Sequence, residues 1–265
     1  FLTLLQRLRP TSVMVASADF PEVRNVVAAS GREAIFFGNG PGATWHAADV
    51  RDDGAMTRFA IVGPHGIRRD AALSVPGTIN IANAIGVAAL THAIGIALDG
   101  VVAALATFRG VKRRQEVIAE GRGITVIDDF AHHPTAVTGT LAALRARYPR
   151  RRLWVLFEPR SNTTRRRVFQ DAFAQAFADA DRVTFGAIHR RDQLPEEQRL
   201  SVEELIADLG ARGVSAETCE DPEAIAALVA AQVLPGDVVV LMSNGGFGGL
   251  AGKLVSALAL APTSS

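Results

Sequence analysis

Cysteine is almost absent from this chain: Cys219 is the only one in 265 residues. A single thiol excludes an internal disulfide and any thiolate metal cluster, and it suits a reducing compartment. Long apolar runs are missing too. The hydrophobic segment 79–96 is broken by Asn, Gly and His, so no bilayer-spanning stretch is expected, and no basic-apolar-small pattern opens the chain. Neither sign of charge is in excess, with 28 basic against 27 acidic residues, so no global field recruits nucleic acid or a membrane surface. A cytoplasmic location is the expectation. No Gly-x-x-x-x-Gly-Lys-Ser/Thr phosphate loop occurs, and no Ser-His-Asp arrangement stands out. A metal site within the chain is not expected. His132 and His133 are adjacent and point apart, no i, i+4 partner completes a ligand set, and His46, His65, His92 and His189 are isolated enough to read as surface or packing residues.

What is present is a regular alternation. Strands are expected at 12–16 and 34–37 around a helix at 21–29. Shorter antiparallel segments at 45–51, 58–62 and 66–73 follow, finishing a sheet, with turns at Asp52-Asp53-Gly54 and Gly63-Pro64-His65-Gly66. Pro76-Gly77 closes this section, and helices are expected at 78–95 and 98–108. Beyond it the spacing predicts strands at 115–119, 125–127, 153–157, 182–185, 215–218 and 238–242. Helices are expected at 135–148, 165–178, 201–209, 222–232 and 250–260. Such alternation implies right-handed crossovers and a mostly parallel sheet covered on both faces, an α/β class. The domain boundary is placed near Thr107. Phe1-Leu2-Thr3-Leu4-Leu5 reads as a helix already under way, the look of a piece of a longer chain.

The densest chemistry lies in Ile127-Asp128-Asp129-Phe130-Ala131-His132-His133-Pro134-Thr135. It follows a β-branched run, and Pro134 opens a helix carrying Val137, Leu141 and Leu144 at helical spacing. Carboxylates and imidazoles therefore stand at the carboxyl end of a strand, where open parallel sheets bind ligands, although one Asp there is as often only a helix cap. After the strand at 153–157 comes Glu158-Pro159-Arg160-Ser161-Asn162-Thr163-Thr164, then three arginines expected to open a helix. Arginine forks and free helix-start amides both favour an anion, with Arg160 the chosen ligand and Arg167 left to solvent. The last strand ends in Ser243-Asn244-Gly245-Gly246-Phe247-Gly248-Gly249, a poor dinucleotide fingerprint that serves equally as a sheet-to-helix turn. Asn80 and Asn83 share a helix face near its start, where they either cap it or read the edge of a purine.

Four segments taken together, Gly77 to Ala84, Phe108 to Glu116, Asp128 to Thr135 and Phe157 to Thr163, resemble the Mur ligases. Glu158-Pro159-Arg160-Ser161-Asn162-Thr163 and the glycine-rich loop favour the branch that attaches a murein tripeptide over the alanine-adding branch. The likeness covers essentially the whole chain. A complete member has three domains, so it implies that residues 1–107 are the C-terminal part of the central ATP-binding domain and residues 108–265 the Rossmann-like C-terminal domain, doubly wound and mostly parallel. It also implies an ATP-dependent amide ligase with Mg2+, in which a carboxylate is activated as an acyl phosphate and taken by an amine. UDP-N-acetylmuramate and L-Ala-γ-D-Glu-meso-diaminopimelate would be the substrates, in peptidoglycan recycling. Carried over residue by residue, Asn80 and Asn83 would contact adenine, Arg114 the nucleotide, and Asp129 the ribose hydroxyls. His132 would face the phosphates, and His133, Arg160, Ser161, Asn162 and Ser243 would line the tripeptide pocket, with His132 and Arg160 serving catalysis. One departure is Ile79, where the family often has His. The alternatives are the alanine-adding ligase and a non-catalytic nucleotide- or peptide-binding module. Without a phosphate loop, this piece alone is expected to be inactive.

Overall fold

The computed structural model describes residues 1–52, 56–75 and 77–263, which form two units, Phe1–Arg109 and Gly110–Ser265. Asp53 and Gly54 of the expected first turn, and Pro76 of the expected break, lie outside the described residues.

In the first unit, helix α1 (Leu2–Gln6) precedes a β1 (Val15–Ser17), α2 (Pro21–Ser30), β2 (Ile35–Phe37) crossover whose two strands are parallel. Pro21 fixes the start of α2, and Gly31, at φ 67°, ends it in the left-handed conformation that glycine adopts without strain. Strands β3 (His46–Asp52), β4 (Thr57–Val62) and β5 (Arg68–Leu73) form an antiparallel meander. They make a three-stranded sheet of their own, and a parallel bridge between Phe37 and Trp45 links the start of that segment to β2. Helices α3 (Thr78–Ala93) and α4 (Leu98–Thr107) cover the meander, Ile81, Ile85 and Ala88 packing with Phe59, Ile61 and Trp45.

The second unit is built on a seven-stranded sheet. Its strands are β6 (Glu116–Gly121), β7 (Ile124–Asp129), β8 (Leu153–Phe157), β9 (Arg182–Phe185), β10 (Ser215–Thr218), β11 (Val238–Met242) and β12 (Ala261–Pro262), in the order β10-β9-β8-β11-β7-β6-β12. The first five in that order are parallel; at the edge β6 pairs antiparallel with β7, and β12 antiparallel with β6, so β6 alone runs against the other six. Alternate residues of a strand face opposite sides, and here both sides are covered. Ile127, Val155, Val183 and Val240 meet α5 (Pro134–Arg147), α6 (Gln170–Ala176) and α7 (Val202–Ala211), while Val126, Trp154, Leu156 and Leu241 meet α8 (Pro222–Gln232) and α9 (Leu250–Ala257). This is the doubly wound α/β arrangement.

One helix departs from expectation. Residues 165–178 do not form a single helix: a 3-10 turn occupies Arg167–Phe169 and α6 starts at Gln170. The cause is an antiparallel bridge between Arg166 and Arg199, which holds Arg166 extended, and an amide of Leu200 that donates to the Arg165 carbonyl at 2.9 Å. Among the described residues no helix is long and apolar enough to cross a membrane.

Candidate anion-binding site at the carboxyl edge of the sheet

Strand register places the chemistry. Met242 pairs with Asp129 on one side and Phe157 on the other, and Phe157 pairs with Phe185, so β7, β11, β8 and β9 end level. The residues that follow are tied together at that edge: Glu158 N–H donates to the Met242 carbonyl at 3.0 Å and Ser243 N–H to that of Asp129 at 3.2 Å. Asp129, Glu158, Arg160 and Ser243 are thereby brought to one edge of one sheet.

A cavity of about 350 Å³ opens there, lined by Arg160, Ser161, Asn162, Arg165, His189, Arg190 and Asn244. Three guanidiniums line it and no carboxylate does, the composition of an anion site. Arg165 is buried yet has no acidic partner among the described residues. Its Nη1 donates to the carbonyls of His189 (2.8 Å) and Arg190 (3.2 Å) and its Nη2 to Asn162 Oδ1 (2.9 Å), while its Nε finds no acceptor. Asn244 Oδ1 is likewise buried without a donor among the described residues. An unneutralised buried cation is costly, and an incoming anion relieves that cost.

Sequence reasoning missed Arg165, His189 and Glu158. Arg165 stands in the sequence as one of three cations on an expected helix start, whereas its side chain reaches the loop carrying His189 and Arg190. His189, expected to be isolated, has Nδ1 3.3 Å from Arg160 Nη1. Loss of water and the Arg160 charge hold its imidazole below the ordinary value. Glu158 accepts from the Ser243 hydroxyl and from Arg160 Nη1 at 3.3 Å.

The remaining candidates are placed as follows. Ser243 is buried, its hydroxyl turned to Glu158 and to the Gly245 amide, and it does not line the cavity. The Ser161 hydroxyl forms a local turn with Thr164. His133 is exposed, caps α5 by accepting from Thr135 N–H, and packs edge-on to Phe169 at 4.7 Å. His132 has Nδ1 2.9 Å from the Phe130 carbonyl, so Nδ1 carries the proton in that bond. Arg114 is exposed, its guanidinium 5.7 Å from the Phe130 ring. In the first unit, Asn80 is half-buried and Asn83 exposed in the opening turns of α3.

Asp129 is 2 % exposed, and its oxygens accept from Gln115 N–H at 2.7 Å, Ala131 N–H at 2.6 Å and the Thr140 hydroxyl at 3.5 Å. Burial nonetheless raises its carboxyl above the ordinary aspartate value, against the pull of those amides. The folded chain therefore holds this proton to higher pH than the unfolded chain does. That contribution to stability is complete below the unfolded value and is lost as pH rises through the folded one. Asp129→Asn, which does not titrate, is expected to cost roughly 1 to 3 kcal/mol by misplacing an NH2 against backbone donors. The deficit should be largest in acid, below the ordinary aspartate value, and shrink as pH rises through the raised folded one. Urea midpoints of both proteins across that range check it; a constant gap contradicts it.

The Mur ligase glutamate ligase domain family matches residues 113–245, just over half of the chain and the stretch that carries this edge. The chain belongs to the Mur ligases. It is 42% identical over 151 residues to a UDP-N-acetylmuramate–L-alanine ligase of Roseiflexus sp. (strain RS-1), covering 55% of this chain and 32% of that protein. The same-named ligase of Halorhodospira halophila is 31% identical over 262 residues, covering 96% of this chain and 53% of that protein. Among solved structures, a murein peptide ligase from Psychrobacter arcticus superposes with a TM-score of 0.71 at 28% identity, over 97% of this chain and 53% of that one. The chain thus spans about half the length, or less, of the relatives it matches.

Proposed function

We propose that the chain is part of an ATP-dependent amide ligase that joins L-Ala-γ-D-Glu-meso-diaminopimelate to UDP-N-acetylmuramate. One observation carries the reading: a roomy cavity lined by Arg160, Arg165 and Arg190 and by no carboxylate. A free alanine offers one carboxylate and little volume, whereas the tripeptide offers several carboxylates on a longer body. The likeness to the Psychrobacter murein peptide ligase supports it. The alanine-adding reading is favoured by the names of the curated relatives.

In this reading ATP supplies the activation of the muramate carboxylate. The chain's own residues orient the amine-bearing partner: Arg160 holds one of its carboxylates, Asn162 and Asn244 offer amide groups, and the loop held by Arg165 closes the far wall. His132, with Nδ1 held by the Phe130 carbonyl, leaves Nε2 as the nitrogen proposed to meet phosphate. Arg114 beside Phe130 offers a flat cationic surface for nucleotide, with Asn80 and Asn83 proposed for adenine. Asp129 fits a ribose less well, since its oxygens are already occupied by internal donors. Among the described residues no three His, Cys, Asp or Glu side chains group as a metal site, and Mg2+ is given no ligands here.

The test is phosphate release by the complete gene product with ATP and UDP-N-acetylmuramate, offered tripeptide or alanine. Turnover with the tripeptide and none with alanine is expected. Turnover with alanine alone would replace this reading by the alternative. The 265-residue chain by itself is expected to be inactive, and ligation by it would overturn that expectation.

A further inference from the structure

Arg160 is anchored by one end only. Its Nη1 lies 3.3 Å from Glu158 Oε1 and 3.3 Å from His189 Nδ1, while Nε and Nη2 have no acceptor among the described residues. Those two nitrogens donate in parallel along one edge of the guanidinium, the geometry that takes a carboxylate bidentately. Glu158 is in turn fixed. Its other oxygen accepts from the Ser243 hydroxyl, which itself accepts from Gly245 N–H at 2.9 Å, and the Ser243 carbonyl accepts from Arg113 Nη2 at 2.6 Å. Gly245 completes the arrangement by what it lacks. A Cβ there would stand 2.2 Å from Arg160 Nε, 2.3 Å from Cδ and 2.7 Å from Cζ, so any other residue would push the Arg160 side chain out of this position.

We infer that Glu158 and Ser243 are positioning residues that hold Arg160 by Nη1 so that its Nε and Nη2 edge is presented to a ligand carboxylate. This deepens the tripeptide reading and rests on it for the identity of the ligand, but not for the restraint itself. Preorganisation of this kind matters because an unanchored arginine loses several rotamers on binding. It also explains why a carboxylate that competes for the cation stands beside an anion site: Glu158 meets the end of the fork that the ligand does not use.

A charge-only view and the positioning view predict opposite results for Glu158→Gln. Deleting a negative charge beside an anion site tightens anion binding, whereas releasing Arg160 weakens it. In the complete protein carrying 15N-labelled arginine, the Arg160 guanidinium signal is identified by its loss in Arg160→Lys. Rotation about its Cζ–Nε bond is expected to be slow in the parent and about 10-fold faster in Glu158→Gln. The dissociation constant for succinate, a plain dicarboxylate probe, should rise about 10-fold, equivalent to roughly 1.4 kcal/mol. Ser243→Ala should show smaller changes in the same direction and serves where Glu158→Gln does not fold. Unchanged rotation in both variants, or tighter succinate binding in Glu158→Gln, overturns the inference. Slow rotation in the parent, lost in both variants, with no tripeptide bound by any form, upholds the positioning and removes the tripeptide.

Discussion

On the proposed reading, Arg160→Ala is expected to raise the tripeptide dissociation constant of the complete protein by about 10- to 100-fold, because charge-assisted hydrogen bonds contribute roughly 1.5 to 3 kcal/mol. The side chain is 34 % exposed, so solvent screens part of its field; the direct fork contact, more than long-range attraction, sets the size of the effect. Arg165 and Arg190 remain in the variant and keep some affinity. Two controls separate loss of a ligand contact from a loosened fold. Arg160→Lys keeps the charge and loses the planar fork, so its affinity should fall between parent and alanine variant. Nucleotide affinity should stay within about twofold of the parent, since no nucleotide contact is assigned to Arg160. Calorimetric titration of peptide and nucleotide against the three proteins provides the measurement. Unchanged peptide affinity in Arg160→Ala would remove the main reason for placing the peptide at this edge.

The strands of the second unit were readable because buried parallel strands are short, β-branched and bounded by turn residues. Val238 to Met242 and Leu153 to Phe157 lie where their composition puts them. Arg160 and Asn162 were visible for the same reason, standing directly after such a strand. His189 and the true setting of Arg165 were not, because they depend on the loop between β9 and α7, which has no periodicity and is fastened by Arg165 to backbone carbonyls. No local pattern announces that a lone arginine will point inward rather than toward water. Glu158 was quoted as part of a motif but given no task, since its role appears only when Ser243, 85 positions away, is seen to donate to it. The two-residue β12 was equally illegible: its pairing with β6 is decided by where α9 ends, and its composition says nothing.

Phe157→Ala is expected to destabilise the second unit by about 3 to 5 kcal/mol, the range for removing a fully buried aromatic side chain. Phe157 has no exposed surface and is ringed by Phe173 at 5.1 Å, Phe177 at 5.2 Å and Phe185 at 6.2 Å between ring centroids, all in edge-on geometry. Those neighbours come from α6, from the residue that follows it and from β9, so no single element can slide in to fill the space, and a cavity remains. For a unit of this size the loss corresponds to a drop in midpoint of about 10 °C. The chain's two tryptophans divide the readout, since Trp154 lies in β8 and Trp45 in the first unit. In a Trp45→Phe background, the fluorescence transition reports the second unit alone, and it should move by the full amount between otherwise identical proteins. A shift below about 1 kcal/mol would mean that the phenylalanine cluster recloses after truncation. Because Phe157 is the last residue of β8 and Glu158 the next, the cavity also removes the rigid base beneath the arginine fork. Peptide affinity in Phe157→Ala should therefore weaken at temperatures well below its melting transition.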